Sequence, residues 1–155
     1  MSAALYPASD PSTQAGCNPG RIVPLINFHG LADSTIPFNG RNSVGGNTTC
    51  ELVGHLVSFF AETDSDALPN IDVWREQWAL RNGCQSEDSN VTHPLPKTSM
   101  NLWDCSSTNP AATVQAYSVK GLGHSWPGTL GLDGGVTAYN ATTAAIIPFF
   151  TNHTL

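Results

Sequence analysis

A nearly continuous apolar run in the first quarter of the chain constrains the fold more than any other feature. Residues Ile22–Phe28 are almost entirely apolar and lead directly into His29 and Gly30. Such a run is typical of a strand that is buried on both faces, as in a parallel sheet, although Pro24 removes one backbone donor. Catalytic loops of α/β sheets follow the carboxyl ends of strands. The loop after Gly30, which carries Asp33, is therefore a candidate functional site.

Helical and extended patterns alternate along the rest of the chain. The clearest helix begins after Asn70, a good N-cap residue, and ends before Gly83, which suits the position after a helix. Further elements are predicted from apolar spacing and β-propensity: strands over Ser99–Cys105 and Thr113–Val119, and helices over Glu51–Glu62 and Val136–Asn152, the last kinked or shortened by Pro148. The order predicts an α/β layered architecture with about three strands, which is part of a sheet rather than a whole one.

Composition and charge exclude several classes of function. The 155 residues suit one domain, and the net charge of −6 argues against the basic face that a nucleic-acid-binding protein needs. The longest apolar run, Ala144–Phe150, is far shorter than the ~20 residues of a membrane-spanning helix. We therefore expect neither a nucleic-acid partner nor a membrane partner. The first residues, Met1–Pro7, lack the basic and apolar regions of a signal peptide.

Glycosylation sequons and cysteines nevertheless indicate an extracellular protein. The four cysteines allow three pairings, and we favour a Cys84–Cys105 disulfide because Cys84 follows a predicted helix and Cys105 lies on a predicted strand. The alternative is that all of them are free buried thiols. No C-x-x-C or zinc-finger spacing occurs, so no structural metal is expected. The candidate glycosylation sites are Asn47, Asn90, Asn140 and Asn152.

Asp33 and His124 are the candidate catalytic residues. Each follows a predicted strand, and an aspartate before a histidine is the chain order of the Ser-Asp-His triad in α/β-hydrolases. In such a triad the carboxylate orients the imidazole, which acts as the general base. No Gly-x-Ser-x-Gly turn occurs in the chain, so no nucleophile is identified. His29 is interpreted as a structural support of the Asp33 loop, and Trp126 either lines an acyl pocket or packs the turn.

Several segments together resemble the C-terminal half of secreted feruloyl esterases. The family also holds acetylxylan esterases and polyhydroxybutyrate-depolymerase-like enzymes. The HG-x-x-D element before the G-x-G-H-x-W-P element is fairly specific as a combination and weak for each element alone. The matching segments cover most of the chain from about Arg21 onward: Pro24–Pro37 (PLINFHGLADSTIP), Trp78–Cys84 (WALRNGC), Tyr117–Pro127 (YSVKGLGHSWP) and Phe149-Phe150.

The resemblance implies a partial α/β-hydrolase fold, with three layers around a mainly parallel sheet and without its N-terminal half. It implies that Asp33 and His124 serve a serine that lies in that missing half, and that no cofactor is needed. It also implies a secreted serine carboxylesterase whose substrates are feruloyl esters of plant cell-wall polysaccharide or small aromatic esters. Acetylxylan and polyhydroxybutyrate are alternative substrates. Residues about 44–65 depart from the family pattern and are interpreted as an insertion, which a translated intron would explain.

Two other functional readings stay open at this point. A chain without its nucleophile is expected to be catalytically inactive, either as a truncated fragment or as a non-catalytic binding remnant. A small disulfide-bonded binding protein that is unrelated to hydrolases is the third reading. It predicts that Asp33 and His124 do not touch, whereas both hydrolase readings require the two side chains to be neighbours.

Overall fold

The computed structural model describes residues 22–41, 68–85, 89–104, 113–131 and 134–153. Within these ranges the chain forms four strands and two short α-helices, and a π-helical turn over Thr142–Ile146 leads directly into the second helix. The elements in chain order are β1 (Leu25–Gly30), α1 (Ile71–Arg81), β2 (Ser89–Leu95), β3 (Thr98–Asp104), β4 (Thr113–Val119) and α2 (Ile147–Asn152).

The four strands form one mixed sheet in the order β1-β4-β3-β2. β1 pairs with β4 in parallel, whereas β4 with β3 and β3 with β2 are antiparallel pairs. The predicted α/β-hydrolase fold, with three layers around a mainly parallel sheet, is therefore wrong for the part of the chain that the structure describes. The physical reason is the short connection between β2 and β3, because parallel strands need a crossover of about a dozen residues or more.

β2, which pairs with β3 as a hairpin, was not predicted from the sequence. Only Pro96 and Lys97 separate the two strands, and Lys97 takes a positive φ of 53°, as the second central residue of a type II turn does after a proline. Pro94 lies inside β2. A proline is tolerated there because β2 is at the edge of the described sheet. The register shifts between Thr92 and Leu95, so the proline coincides with an irregularity in the pairing.

The predictions for β1, β3, β4 and α1 are confirmed to within a few residues. The side chain of Asn70 caps α1 by accepting from the backbone N–H groups of Asp72 and Val73 at 2.9 and 3.2 Å. Gly83 follows the helix with a φ of 87°, a left-handed conformation that glycine adopts without strain. Local sequence signals thus set both ends of this helix.

The C-terminal helical segment is shorter than predicted and differs at Pro148. Residues 136–140 are not helical. Of the two effects predicted for Pro148, a kink or a shortened helix, the second is wrong, since α2 continues to Asn152. The N–H of Ile147 donates to the carbonyl of Thr142, five residues earlier. Pro148 then falls in the first turn of α2, and it supplies no N–H to the helical turn that precedes it.

The core lies on both faces of the sheet, because alternate residues of β4 point to opposite sides. One face packs against α1 and the other against the C-terminal helical segment. The α1 face buries Ala79, Cys84, Trp103, Val114 and Ala116. The opposite face buries Phe28, Tyr117, Val119, Leu122, Tyr139, Ala141 and Ala145. Neither described helix is long and apolar enough to cross a membrane.

Several sequence predictions lie outside the described residues and stay predictions. They are the helix over Glu51–Glu62, the insertion at about 44–65, and the roles of Cys17, Cys50, Cys105 and Asn47.

Candidate active site

The site forms where the carboxyl ends of β1 and β4 meet. The two strands run in parallel with His29 beside Ser118 and Gly30 beside Val119, so their following loops leave the same edge of the sheet. Backbone hydrogen bonds then tie the loops together. The N–H of Leu31 donates to the carbonyl of Val119, and the N–H of Ala32 donates to that of Leu122, both at 2.9 Å.

Glycine at position 30 permits this close approach. A Cβ atom there would lie 2.2 Å from the carbonyl oxygen of Leu122 and 2.5 Å from that of Gly123. Both neighbours are backbone atoms, so neither can turn aside as a flexible side chain would. Gly134 likewise permits a close backbone approach to the loop that carries His124, since a Cβ at Gly134 would lie 2.6 Å from the backbone nitrogen of His124.

Asp33 is buried and uses both carboxylate oxygens. Its residue exposure is 7%, Oδ1 accepts from the backbone N–H groups of Thr35 and Ile36 at 2.9 Å each, and Oδ2 lies 3.0 Å from Nδ1 of His124. Burial alone would raise the pKa of Asp33, but the hydrogen bonds from Ile36, His124 and Thr35 outweigh it and lower that pKa below its usual value. The carboxylate is therefore ionised near neutral pH. One oxygen makes the local turn and the other contacts the histidine.

His124 presents its ring to the outside. Its side chain is 42% exposed while Asp33 behind it is 2% exposed. An ionised carboxylate only accepts hydrogen bonds, so Nδ1 of His124 carries the hydrogen and Nε2 of the neutral ring is an acceptor. No partner for Nε2 is found among the described residues. The arrangement can take up a proton at Nε2 while the carboxylate stabilises the resulting imidazolium.

Trp126 lies beside a small recess next to this pair. Its ring packs at a tilt against Phe28, with centroids 6.1 Å apart, and it borders the core of the sheet. The recess measures about 10 Å³, about what one water needs, and is also lined by His29, Asp33 and Ser125. The described residues thus place Trp126 at the site, packed on the core. Its contact with a substrate stays a prediction.

The remaining predicted site residues are placed as follows. Cys84 is buried against the α1 face, but its predicted partner Cys105 lies outside the described residues, so the disulfide stays a prediction. Asn90, Asn140 and Asn152 are exposed, which is compatible with glycosylation and does not test it. In the described ranges, no group of three or more His, Cys, Asp or Glu side chains could hold a metal ion.

Sequence reasoning missed Arg75, a fully buried cation beneath the site. Arg75 projects from α1 onto β1 and β4 and donates to Oδ1 of Asn27, to Oγ of Ser118 and to the carbonyl of Tyr117, each at 2.8 Å. Burial lowers the pKa of Arg75 to about 10, although Asp72 opposes that shift, so the guanidinium stays charged near pH 7. Asn27 offered a signal, as a polar residue between Ile26 and Phe28 in the apolar run of β1.

Comparisons with known proteins do not assign the chain to a family. No family model matches it, and neither a curated protein nor a solved structure does. The likeness to feruloyl esterases therefore stays a resemblance carried by the sequence segments quoted above. The geometry of the Asp33–His124 pair is the observation on which a functional proposal can be built.

Proposed function

We propose that Asp33 and His124 are the acid and the general base of a serine-type carboxylic ester hydrolase. The observation that carries the proposal is the 3.0 Å contact between Nδ1 of His124 and Oδ2 of Asp33, with the other carboxylate oxygen held by two backbone N–H groups. A carboxylate held in this way fixes one ring tautomer and leaves the other nitrogen for catalysis. The exposure of the imidazole supports the same assignment.

The pair supplies the proton transfers of acyl transfer. Nε2 of His124 takes the proton of a serine hydroxyl as that oxygen attacks the ester carbonyl, and Asp33 stabilises the imidazolium. The imidazolium then gives the proton to the leaving alcohol, which leaves an acyl-enzyme. In the second step His124 activates a water molecule that releases the acid. The serine itself is not assigned to a residue, because the chain contains no Gly-x-Ser-x-Gly turn.

The proposed substrates are hydroxycinnamoyl esters of plant cell-wall polysaccharide, hydrolysed by a secreted enzyme. This part of the proposal is supported by the likeness of Pro24–Pro37 and Tyr117–Pro127 to feruloyl esterases. Trp126 lines the recess next to Asp33 and is half-buried, so its indole ring provides an aromatic surface beside the pair. Acetylxylan and polyhydroxybutyrate esters remain alternative substrates.

A second candidate is that the chain by itself has no catalytic turnover, either as an inactive truncated fragment or as a non-catalytic binding remnant. The observations that favour it are the recess of about 10 Å³, too small for a feruloyl ring, and the absence of a hydroxyl partner for Nε2 of His124 among the described residues. In this case the pair is a competent base without a nucleophile. Loss of one triad member typically lowers the rate by several powers of ten.

Ester hydrolysis by the full chain separates the two candidates. Methyl ferulate needs the complete machinery, whereas p-nitrophenyl acetate is activated enough to react with an imidazole that acts as the nucleophile itself. We compare the chain with His124→Ala and with the control His93→Ala, which removes an exposed histidine of β2. General-base catalysis predicts that His124→Ala lowers the rate by about 10²-fold or more and that His93→Ala leaves it unchanged.

The outcomes are distinct. Turnover of methyl ferulate that depends on His124 supports the esterase and contradicts the second candidate. The absence of methyl ferulate turnover supports the second candidate, and hydrolysis of p-nitrophenyl acetate that depends on His124 then identifies a base without a serine. Measurable turnover of either ester that is equal in the chain and in His124→Ala overturns the assignment of His124 as a base.

A further inference from the structure

His29 lies directly behind the carboxylate of Asp33. It is the second-last residue of β1, its exposure is 3%, and its Nε2–H donates to the carbonyl of Ile36 at 2.8 Å. The same nitrogen lies 3.7 Å from Oδ2 of Asp33, the oxygen that contacts His124. The ring also meets the edge of Phe38, with centroids 5.8 Å apart. His29 therefore contacts the loop that shapes the site while being almost fully buried.

The hydrogen bonds of His29 and Asp33 converge on one residue of that loop. The N–H of Ile36 donates to Oδ1 of Asp33, while the carbonyl of Ile36 accepts from Nε2 of His29. Both backbone polar groups of residue 36 are thus held by side chains. The direction of the Asp33 carboxylate depends on where this backbone lies, because Oδ1 is bound to it.

The charge state of His29 matters for the second oxygen of Asp33. Charged or titratable groups face His29 from three places: Asp33 on its own loop, Arg75 on α1 and His124 on the loop after β4. Burial lowers the pKa of His29, and the hydrogen bond to Ile36 and the charge of Asp33 oppose this only in part. A neutral ring has a single N–H, which the Ile36 carbonyl already accepts. Oδ2 of Asp33 is then left for His124.

We propose that His29 is a positioning residue for the Asp33–His124 pair, which fixes the Asp33 loop through the Ile36 carbonyl and leaves Oδ2 to His124. The inference rests on the proposed function only for its use of that pair. It predicts that a side chain without a donor at position 29 frees the Ile36 backbone and lets the Asp33 carboxylate turn. His124 then loses the acceptor that holds its Nδ1–H tautomer.

The test is ¹⁵N NMR of the histidine rings in the full chain, since ring nitrogen shifts report the tautomer directly. In the neutral form of each ring, wild-type His29 is expected as the Nε2–H tautomer and His124 as the Nδ1–H tautomer. In His29→Leu the ratio of Nδ1–H to Nε2–H forms of His124 should fall at least about fivefold, as expected for a lost hydrogen bond. His29→Gln retains an amide donor and should restore the ratio, and His93→Leu should not change it.

Three results would overturn the proposal. The first is His29 as an imidazolium or an Nδ1–H tautomer in the wild-type chain, which can be read even if His29→Leu does not fold. The second is a folded His29→Leu chain in which the tautomer ratio of His124 equals that of the wild type. The third is a His29→Gln chain in which the ratio stays as low as in His29→Leu. Failure of the proposed function looks different, because ester hydrolysis would then be independent of His124 whatever the spectra show.

Discussion

Two pairs of a carboxylate and a nitrogen base in this molecule are built in opposite ways. In the Asp33–His124 pair the carboxylate is 2% exposed and the imidazole 42% exposed. In the Asp72–Arg75 pair the guanidinium is 0% exposed and the carboxylate 56% exposed. In each pair the buried member is held by several fixed partners, while only one contact with the exposed member holds the pair together.

The difference shows which member can react and which is structural. His124 is held by a buried anion, so its outer nitrogen can gain or lose a proton while its orientation is kept. Asp72 is held by a buried cation that stays charged near pH 7, and it does no more than balance that charge from the solvent side. Substitution of a buried member should therefore cost stability, whereas substitution of an exposed member should cost little stability.

Arg75→Met is expected to have the largest effect on stability. Oδ1 of Asn27, Oγ of Ser118 and the carbonyl of Tyr117 would all lose a charged donor. Because a buried cation no longer has to be desolvated, part of the loss is offset, and we expect a decrease of about 2–4 kcal/mol in the free energy of unfolding. Urea denaturation at pH 7 measures it, with Lys120→Met as a control that removes an exposed cation. Equal stability of Arg75→Met and Lys120→Met would contradict the structural role of Arg75.

Asp33→Asn is expected to have a smaller effect that depends on pH. An amide can still accept hydrogen bonds but carries no charge, so we expect a loss of about 1–2 kcal/mol at pH 7. The pKa of Asp33 is lowered in the folded chain, so the wild-type advantage is present above pH ~4 and disappears as the pH falls through the lowered pKa. Denaturation of both chains at pH 7, 5, 4 and 3 measures it. An advantage that persists unchanged at pH 3 would show that the carboxylate charge does not contribute.

The neighbouring positions of Asp33 and His124 could be predicted, although the fold class could not. The apolar run of β1 and the β-forming residues of β4 identify two strands, and each candidate residue follows one of them. The two residues come together because β1 and β4 form the parallel pair of the described sheet. The error in the fold class concerns β2 and β3, which lie on the far side of β4 and do not shape the site.

The features that escaped prediction depend on contacts between distant parts of the chain. β2 carries Pro94 and mostly exposed side chains, so it lacks the alternation that marks a strand, and its pairing with β3 forms it. Arg75 has no local signal for burial, because its acceptors come from β1 and β4. The sequence predicted that His29 supports the Asp33 loop, but the route through the Ile36 backbone depends on the fold and not on residue spacing.

Asp72→Asn is expected to have the smallest effect and completes the comparison of the two pairs. Asp72 contacts Nη1 of Arg75 at 3.2 Å, but its exposure means that water and salt screen the interaction. We expect a loss of at most about 1 kcal/mol, including the charge in the first turn of α1, and a decline of that loss as NaCl is raised toward 1 M. Urea denaturation at low and high salt measures both. A loss as large as that of Arg75→Met and insensitive to salt would contradict this prediction. It would mean that the exposed Asp72 contributes as much to stability as the buried Arg75 does.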